Sequence, residues 1–147
     1  MDKIIYKYID CRNKIFDQVI NLRYDILFKP YSMVEKYEYD ELDEISLHLV
    51  VLDKEKLAGY SRLTNFDGIG KITNVVVDPE YIGRGIGSEM IKKHIAKAKG
   101  YSINCIYLNS RQDTVNFYEK IGFQCDDEAS ISERSGLLLQ KMHINIS

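Results

Sequence analysis

"VVVDPEYIGRGIGSEMIKKHI" runs from Val75 to Ile95 and decides how the rest of the chain is read. A β-branched run ends at Asp78, glycines fall at 83, 85 and 87, and an amphipathic pattern begins at once. A plain turn needs one glycine, or two. Glycines let the backbone come close to a ligand and turn its amides toward it. The start of the following helix adds unpaired N–H groups and the positive end of the helix dipole. Those features together make a phosphate cradle, and Arg84 brings a fixed positive charge suited to phosphate oxygens. The spacing is G-x-G-x-G. Counted from Gly85, Met90 stands where a dinucleotide fingerprint needs its third glycine, and the Gly-Lys-Ser/Thr ending of a P-loop is missing. A tight strand-to-helix connection in which the glycines only relieve packing is the blander reading of the same residues.

Working outward, "GIGKITNVVVD" (68–78) feeds the loop as a long strand, and "ISLHLVVLD" (45–53) and "KLAGYSRLTNF" (56–66) form two more, joined by the charged turn "DKEK". Beyond the loop, Ile86, Met90, Ile91, Ile95 and Ala98 make one apolar stripe, opposite Glu89, Lys92, Lys93 and Lys97. That predicts a helix of about four turns ended by Gly100. "INCIYLN" (103–109) has the compact apolar character of an interior parallel strand. "DTVNFYEKIGF" predicts a short helix from Asp113 to a stop at Gly122, and strands follow around "QCDDEASIS" and "LLLQKMHI". Upstream, "KIIYKYI" (3–9) is a strand, and Ile15, Phe16, Val19, Ile20 and Leu27 predict a helix over 11–28 stopped by Pro30. "YSMVEKYEYDELDE" reads as an acidic loop with one helical turn at most. The order β-α-(α)-β-β-β-α-β-α-β-β points to an α/β fold with a mixed sheet flanked by helices.

Composition narrows the function. A chain of 147 residues with 45% hydrophobic content and two prolines is expected to be one folded domain, 1–147. A net charge of −2 gives no basic footprint for nucleic acid. No apolar run reaches membrane-spanning length, and "MDKIIYKYIDCRNK" is too broken by charge for a signal peptide, so a cytoplasmic location is expected. Cys11, Cys105 and Cys125 lack disulfide or zinc-ligand spacing and read as buried free thiols, with no metal implied.

The segment "VVVDPEYIGRGIGSEMI", followed by "IYLNS" and then "NFYEKIGF", resembles the GCN5-related N-acetyltransferase (GNAT) family. "LRYDILFKP", "YDELDEISLH" and "LNSRQDTVNFYEKIGF" are similar to its bacterial ElaA/YjcF-like subgroup. The resemblance implies acetyl-CoA as co-substrate, its pyrophosphate held by Gly83, Arg84, Gly85, Ile86, Gly87 and Ser88. It implies a bulge in the preceding strand, whose backbone at Val76 and Val77 meets the pantetheine arm and the thioester oxygen in the manner of an oxyanion hole. Three positions depart from the pattern. Ile82 stands where the family usually has Gln or Arg. Arg111 occupies a frequent asparagine position, with Asn109 two residues earlier on the cofactor side. Leu139 takes the place of a histidine common in the subgroup.

Acetyl transfer to an amine needs a neutral amine, a polarised carbonyl and a proton for the departing thiolate. The resemblance places Tyr118 as general acid, against a bland reading as a core aromatic. His48 suits a base by its chemistry, although strand alternation leaves its direction open and a satisfied structural histidine is the blander reading. Asp40, Glu41, Asp43 and Glu44 are candidates to hold a cationic acceptor, or form only a solvated face. Arg23 is a candidate to pair with that acidic stretch and shape the acceptor pocket, or is only a surface arginine of its helix. The expected activity is direct transfer from acetyl-CoA to a small-molecule or peptide amine. A non-catalytic acyl-CoA-binding module and a protein lysine or N-terminal acetyltransferase are the alternatives. A homodimer through a strand edge or the C-terminal strands suits the fold.

Overall fold

The computed structural model of the chain describes residues 3–31, 41–132 and 135–146. Its elements are β1 (Ile4–Ile9), α1 (Phe16–Arg23), β2 (Ser46–Asp53), β3 (Lys56–Phe66), β4 (Ile69–Val77), α2 (Ile86–Ala98), β5 (Cys105–Arg111), α3 (Val115–Ile121), β6 (Gln124–Ile131) and β7 (Leu138–Asn145). The strands form one seven-stranded mixed sheet in the order β1-β2-β3-β4-β5-β7-β6. β4 and β5 run parallel because α2 carries the chain across between them.

Helices on both faces explain why β2 and β3 are buried almost without alternation. Phe16, Val19 and Leu22 of α1 pack against Val50, Leu52, Tyr60 and Val76 on one face. Ile86 and Met90 of α2 meet Leu49, Val51 and Ala58 on the other. Gly59 lets α2 sit this close, since a Cβ there would lie 3.0 Å from Ile86 Cγ2. Further along that second face, Ile91, Tyr118 and Phe123 close over Leu63, Ile106, Leu108 and Met142.

Several sequence expectations shift at element ends. The helix predicted over 11–28 begins only at Phe16. Asp10 and Asn13 side chains accept from the Arg12 and Ile15 amides at 2.8 and 2.9 Å, holding the preceding residues in turns. Residues Tyr24–Phe28 widen into a π-type turn, and Pro30 lies within a tight final turn, Lys29–Tyr31. Gly100 does not end the next helix. Winding continues through Tyr101, and Ser102 takes the left-handed conformation at φ 56°. α3 starts two residues after Asp113, behind a tight turn over Gln112–Thr114. The thiols are free but not buried: Cys11 and Cys105 are half-buried and Cys125 is exposed on the edge strand β6. Among the described residues no helix is long and apolar enough to cross a membrane.

Two irregularities position the site. β4 and β5 pair only from Ile69 to Lys71, opposite Cys105 to Tyr107, and then splay apart. In the same half of β4, Asn74 adopts φ 56° and the register against β3 slips between Tyr60 and Arg62. Two residues of β4 thus oppose one of β3, a bulge that bends the strand and increases its twist. Asparagine tolerates the left-handed backbone better than the branched residues around it.

Candidate active site

The splay opens a cavity of about 520 Å³ through the sheet. Thr73, Asn74, Val75 and Val77 of β4 form one wall, and Leu108, Asn109, Ser110 and Arg111 of β5 form the other. Ile26, Leu27 and Tyr31 close it from the turns after α1, and Phe117 and Tyr118 from α3. Ile82 and Phe117 carry the cavity to the glycine loop, where a Cβ on Gly87 would meet Phe117 Cζ at 3.5 Å.

The loop has the shape of an anion cradle. Gly83 and Gly85 hold φ 89° and 78°, and a Cβ on either would meet nothing within 4 Å. Gly85 is the N-cap of α2. Glu89 N donates to Gly85 O at 3.1 Å as helical bonding starts, so the amides of Ile86, Gly87 and Ser88 are the helix's orphan donors. The Ile86 side chain is buried and anchors the helix start. The Arg84 guanidinium lies 4.9 Å from the centre of the Tyr81 ring, a cation–π contact that keeps its charge beside the loop. These residues fit a pyrophosphate: donors, positive charge and open space coincide.

Tyr118 is 9% exposed and wedged edge-on between Phe117 and Phe123, with ring centres at 5.0 and 5.8 Å. Burial pushes its phenol up to about 12, against the opposing pull of the Arg111 charge. It therefore holds its proton at neutral pH, as a donor to a departing thiolate must. Val76 points into the core beneath α1, while Val77, its neighbour on the bulged strand, lines the cavity. Asn109 lines the cavity too.

His48, Asp43 and Arg23 are brought together, but away from the cavity. All three are buried, and Arg23 Nη1 and Nη2 donate to the two Asp43 carboxylate oxygens at 2.9 and 3.0 Å. Arg62 Nη1 donates to the same carboxylate at 2.9 Å, and its Nε donates to Thr73 Oγ1 at 3.1 Å. His48 Nε2 bonds the Asp43 carbonyl at 2.8 Å, so that nitrogen carries the proton. Its Nδ1 then accepts from the Tyr60 hydroxyl at 2.6 Å. Burial lowers the imidazole below its ordinary value. A neutral ring with both nitrogens engaged has no lone pair to offer an amine. Glu41 and Glu44 are exposed, and neither lines the cavity. The expectation that Asp43 helps to hold a cationic acceptor is thus corrected, because two arginines draw it inward. Asp40 lies outside the described residues.

Sequence reasoning missed Asn74, Thr73 and Gly59, and gave Arg111 no role. A lone asparagine inside "KITNVVV" was the available sign of the bulge. Leu139, at the subgroup's histidine position, lines the cavity as an apolar group.

A sheet split beside a glycine-capped helix, with a buried tyrosine at the split, is the architecture of an acyl-CoA N-acyltransferase. The acetyltransferase (GNAT) family model matches residues 16–123, and the chain belongs to that family of acyltransferases. The uncharacterized N-acetyltransferase YjcF of Bacillus subtilis is 29% identical over 121 residues, covering 82% of this chain and 86% of that protein. The crystal structure of Escherichia coli ElaA superposes with a TM-score of 0.77 at 17% identity, covering 95% of this chain and 98% of that one. The spermidine N-acetyltransferase of Vibrio cholerae, solved with CoA and spermine, gives 0.75 at 20% identity, covering 97% and 95%.

Proposed function

We propose that this chain transfers an acetyl group from acetyl-CoA to an amine by direct attack within a ternary complex. The observation that carries the reading is a cavity that runs from Ile82 and Phe117, beside the glycine loop, along the part of β4 left unpaired by β5 to Tyr118. Loop residues 83–88 would hold the pyrophosphate, and acetyl-CoA would supply the activated acetyl thioester. On the bulged half of β4, backbone around Val76 and Val77, with Val77 on the edge that β5 leaves unpaired, would face the growing negative charge on the carbonyl oxygen, an arrangement that favours the transition state over the ground state. Tyr118 delivers its proton to the sulfur as the C–S bond breaks. Among the described residues no carboxylate or imidazole lines the cavity. The acceptor gives up its ammonium proton to water and attacks as the free amine, and the proton it sheds as the C–N bond forms returns through water to the Tyr118 oxygen.

Tyr118→Phe tests the reading. The substitution keeps the packed ring and removes the donor, so turnover should fall by about 100-fold or more. The rise in melting temperature on adding acetyl-CoA should persist, since ligand binding to the folded state is unchanged. Full turnover in the variant would return Tyr118 to a packing role.

A further inference from the structure

We infer that the acceptor is an amine that also carries a carboxylate, such as a free amino acid, and that Arg111 binds that carboxylate. The inference rests on the acetyl-transfer reading and names the substrate class of the same site.

Charge on the described part of the cavity wall is one-sided. Arg111 is the sole ionised side chain among the described lining residues, and the remaining polar groups are hydroxyls and amides. The Arg111 guanidinium is half-exposed and touches one carboxylate, its Nε lying 3.4 Å from Asp113 Oδ1. Its terminal nitrogens have no bonded partner among the described residues. They form a planar fork of the kind that grips a carboxylate through two parallel bonds. The base of the residue is fixed: Thr114 Oγ1 donates to the Arg111 carbonyl at 3.1 Å, and Ser110 Oγ donates to it at 2.8 Å. Arg111 also lies close enough to Tyr118 for its charge to act on the phenol. A carboxylate held there puts its own α-amine beside the proton donor.

The same charge argues against a polycation. A second ammonium in this cavity meets a guanidinium and no carboxylate among the described lining residues, Asp113 lying outside that lining, so little there offsets its desolvation. For the reacting amine itself, a neighbouring cation favours the neutral, nucleophilic form. A carboxylate on the acceptor supplies the missing anion.

The test compares matched acceptors by CoA release: leucine, glutamate and lysine against their carboxamides, with spermidine and cadaverine as polycations. A carboxamide's amine is the less basic of each pair, so any intrinsic bias favours the carboxamide and works against the inference. The carboxylates should nonetheless react with kcat/KM about tenfold or more above their carboxamides, a charge-assisted contact commonly being worth that much. In Arg111→Gln the ratio should collapse toward one, with recovery of part of it in Arg111→Lys. Carboxamides or polyamines reacting as well as carboxylates would overturn the inference and leave acetyl transfer standing. So would a ratio untouched by Arg111→Gln. Release of CoA with no amine in any arm would overturn both. The comparison on the unaltered protein decides the matter even if an Arg111 variant fails to fold.

Discussion

At the scale of single residues, Asp43 carries the largest electrostatic responsibility in the described chain. Its carboxylate sits between the guanidinium groups of Arg23 and Arg62 with no exposure to water. Two buried cations near one another are tolerable only with that anion between them. Asp43→Asn keeps the shape and removes the charge, so it should cost about 3–5 kcal/mol of folding stability, the range for breaking a buried ion pair. Urea denaturation would measure it. If Asp43 were instead a solvated residue at the cavity mouth, the variant would unfold at the original midpoint and show a raised acceptor Michaelis constant. The network also ties the sheet to α1 and to residues 41–44, so losing the carboxylate loosens the end of α1, from which the turns that close the cavity follow.

At the scale of the element, the glycine loop separates two roles for glycine. Gly85 holds φ 78° in open space, whereas Gly87 is inside α2 with Phe117 as its ordinary van der Waals neighbour. A side chain at Gly85 forces an L-residue into the left-handed region, at roughly 1–2 kcal/mol. Gly87→Ala removes a flexible residue from a helix and should gain up to about 1 kcal/mol. Melting of the free proteins should therefore place Gly87→Ala above and Gly85→Val below the parent. Acetyl-CoA should no longer raise the melting temperature of Gly85→Val, because the amides at the start of α2 would be turned out of the cradle. An unchanged ligand-induced rise in that variant would remove the loop from the binding site.

At the scale of the whole molecule, two histidines make stability depend on pH. His94 lies buried between Tyr8 and Ser61, hydrogen-bonded to both at 3.0 and 2.7 Å, and burial pushes it down to about 3. His48 is lowered in the same direction by its own burial. An unfolded imidazole titrates near 6.5. Below that pH the unfolded chain takes up protons that the folded chain refuses, so stability falls as pH drops from about 6.5 toward 3. The slope is about 1.4 kcal/mol per pH unit for each such histidine. His94→Gln should reduce the slope between pH 6 and 4.5 by about one proton, read from denaturation midpoints across that range. An unchanged slope would show that His94 is protonated in the folded protein.

Element order, sheet class and the glycine-rich helix start were legible in the sequence because each rests on residues near one another along the chain. Apolar spacing distinguishes α2 from β5, and three glycines before an amphipathic stripe describe a helix start without reference to anything distant. The fate of His48 was not legible. On a strand covered by helices on both faces, alternation no longer distinguishes inside from outside, and only packing against Phe16, with ring centres 5.0 Å apart, fixes its side. Asp43 read as part of a solvated acidic run because its partners lie 20 and 19 residues away. Arg111 and Tyr118 share a cavity that opens where β4 and β5 separate. Local periodicity determined which elements form; burial and long-range charge pairing, which arise only when those elements pack, decided which side chains reach the site.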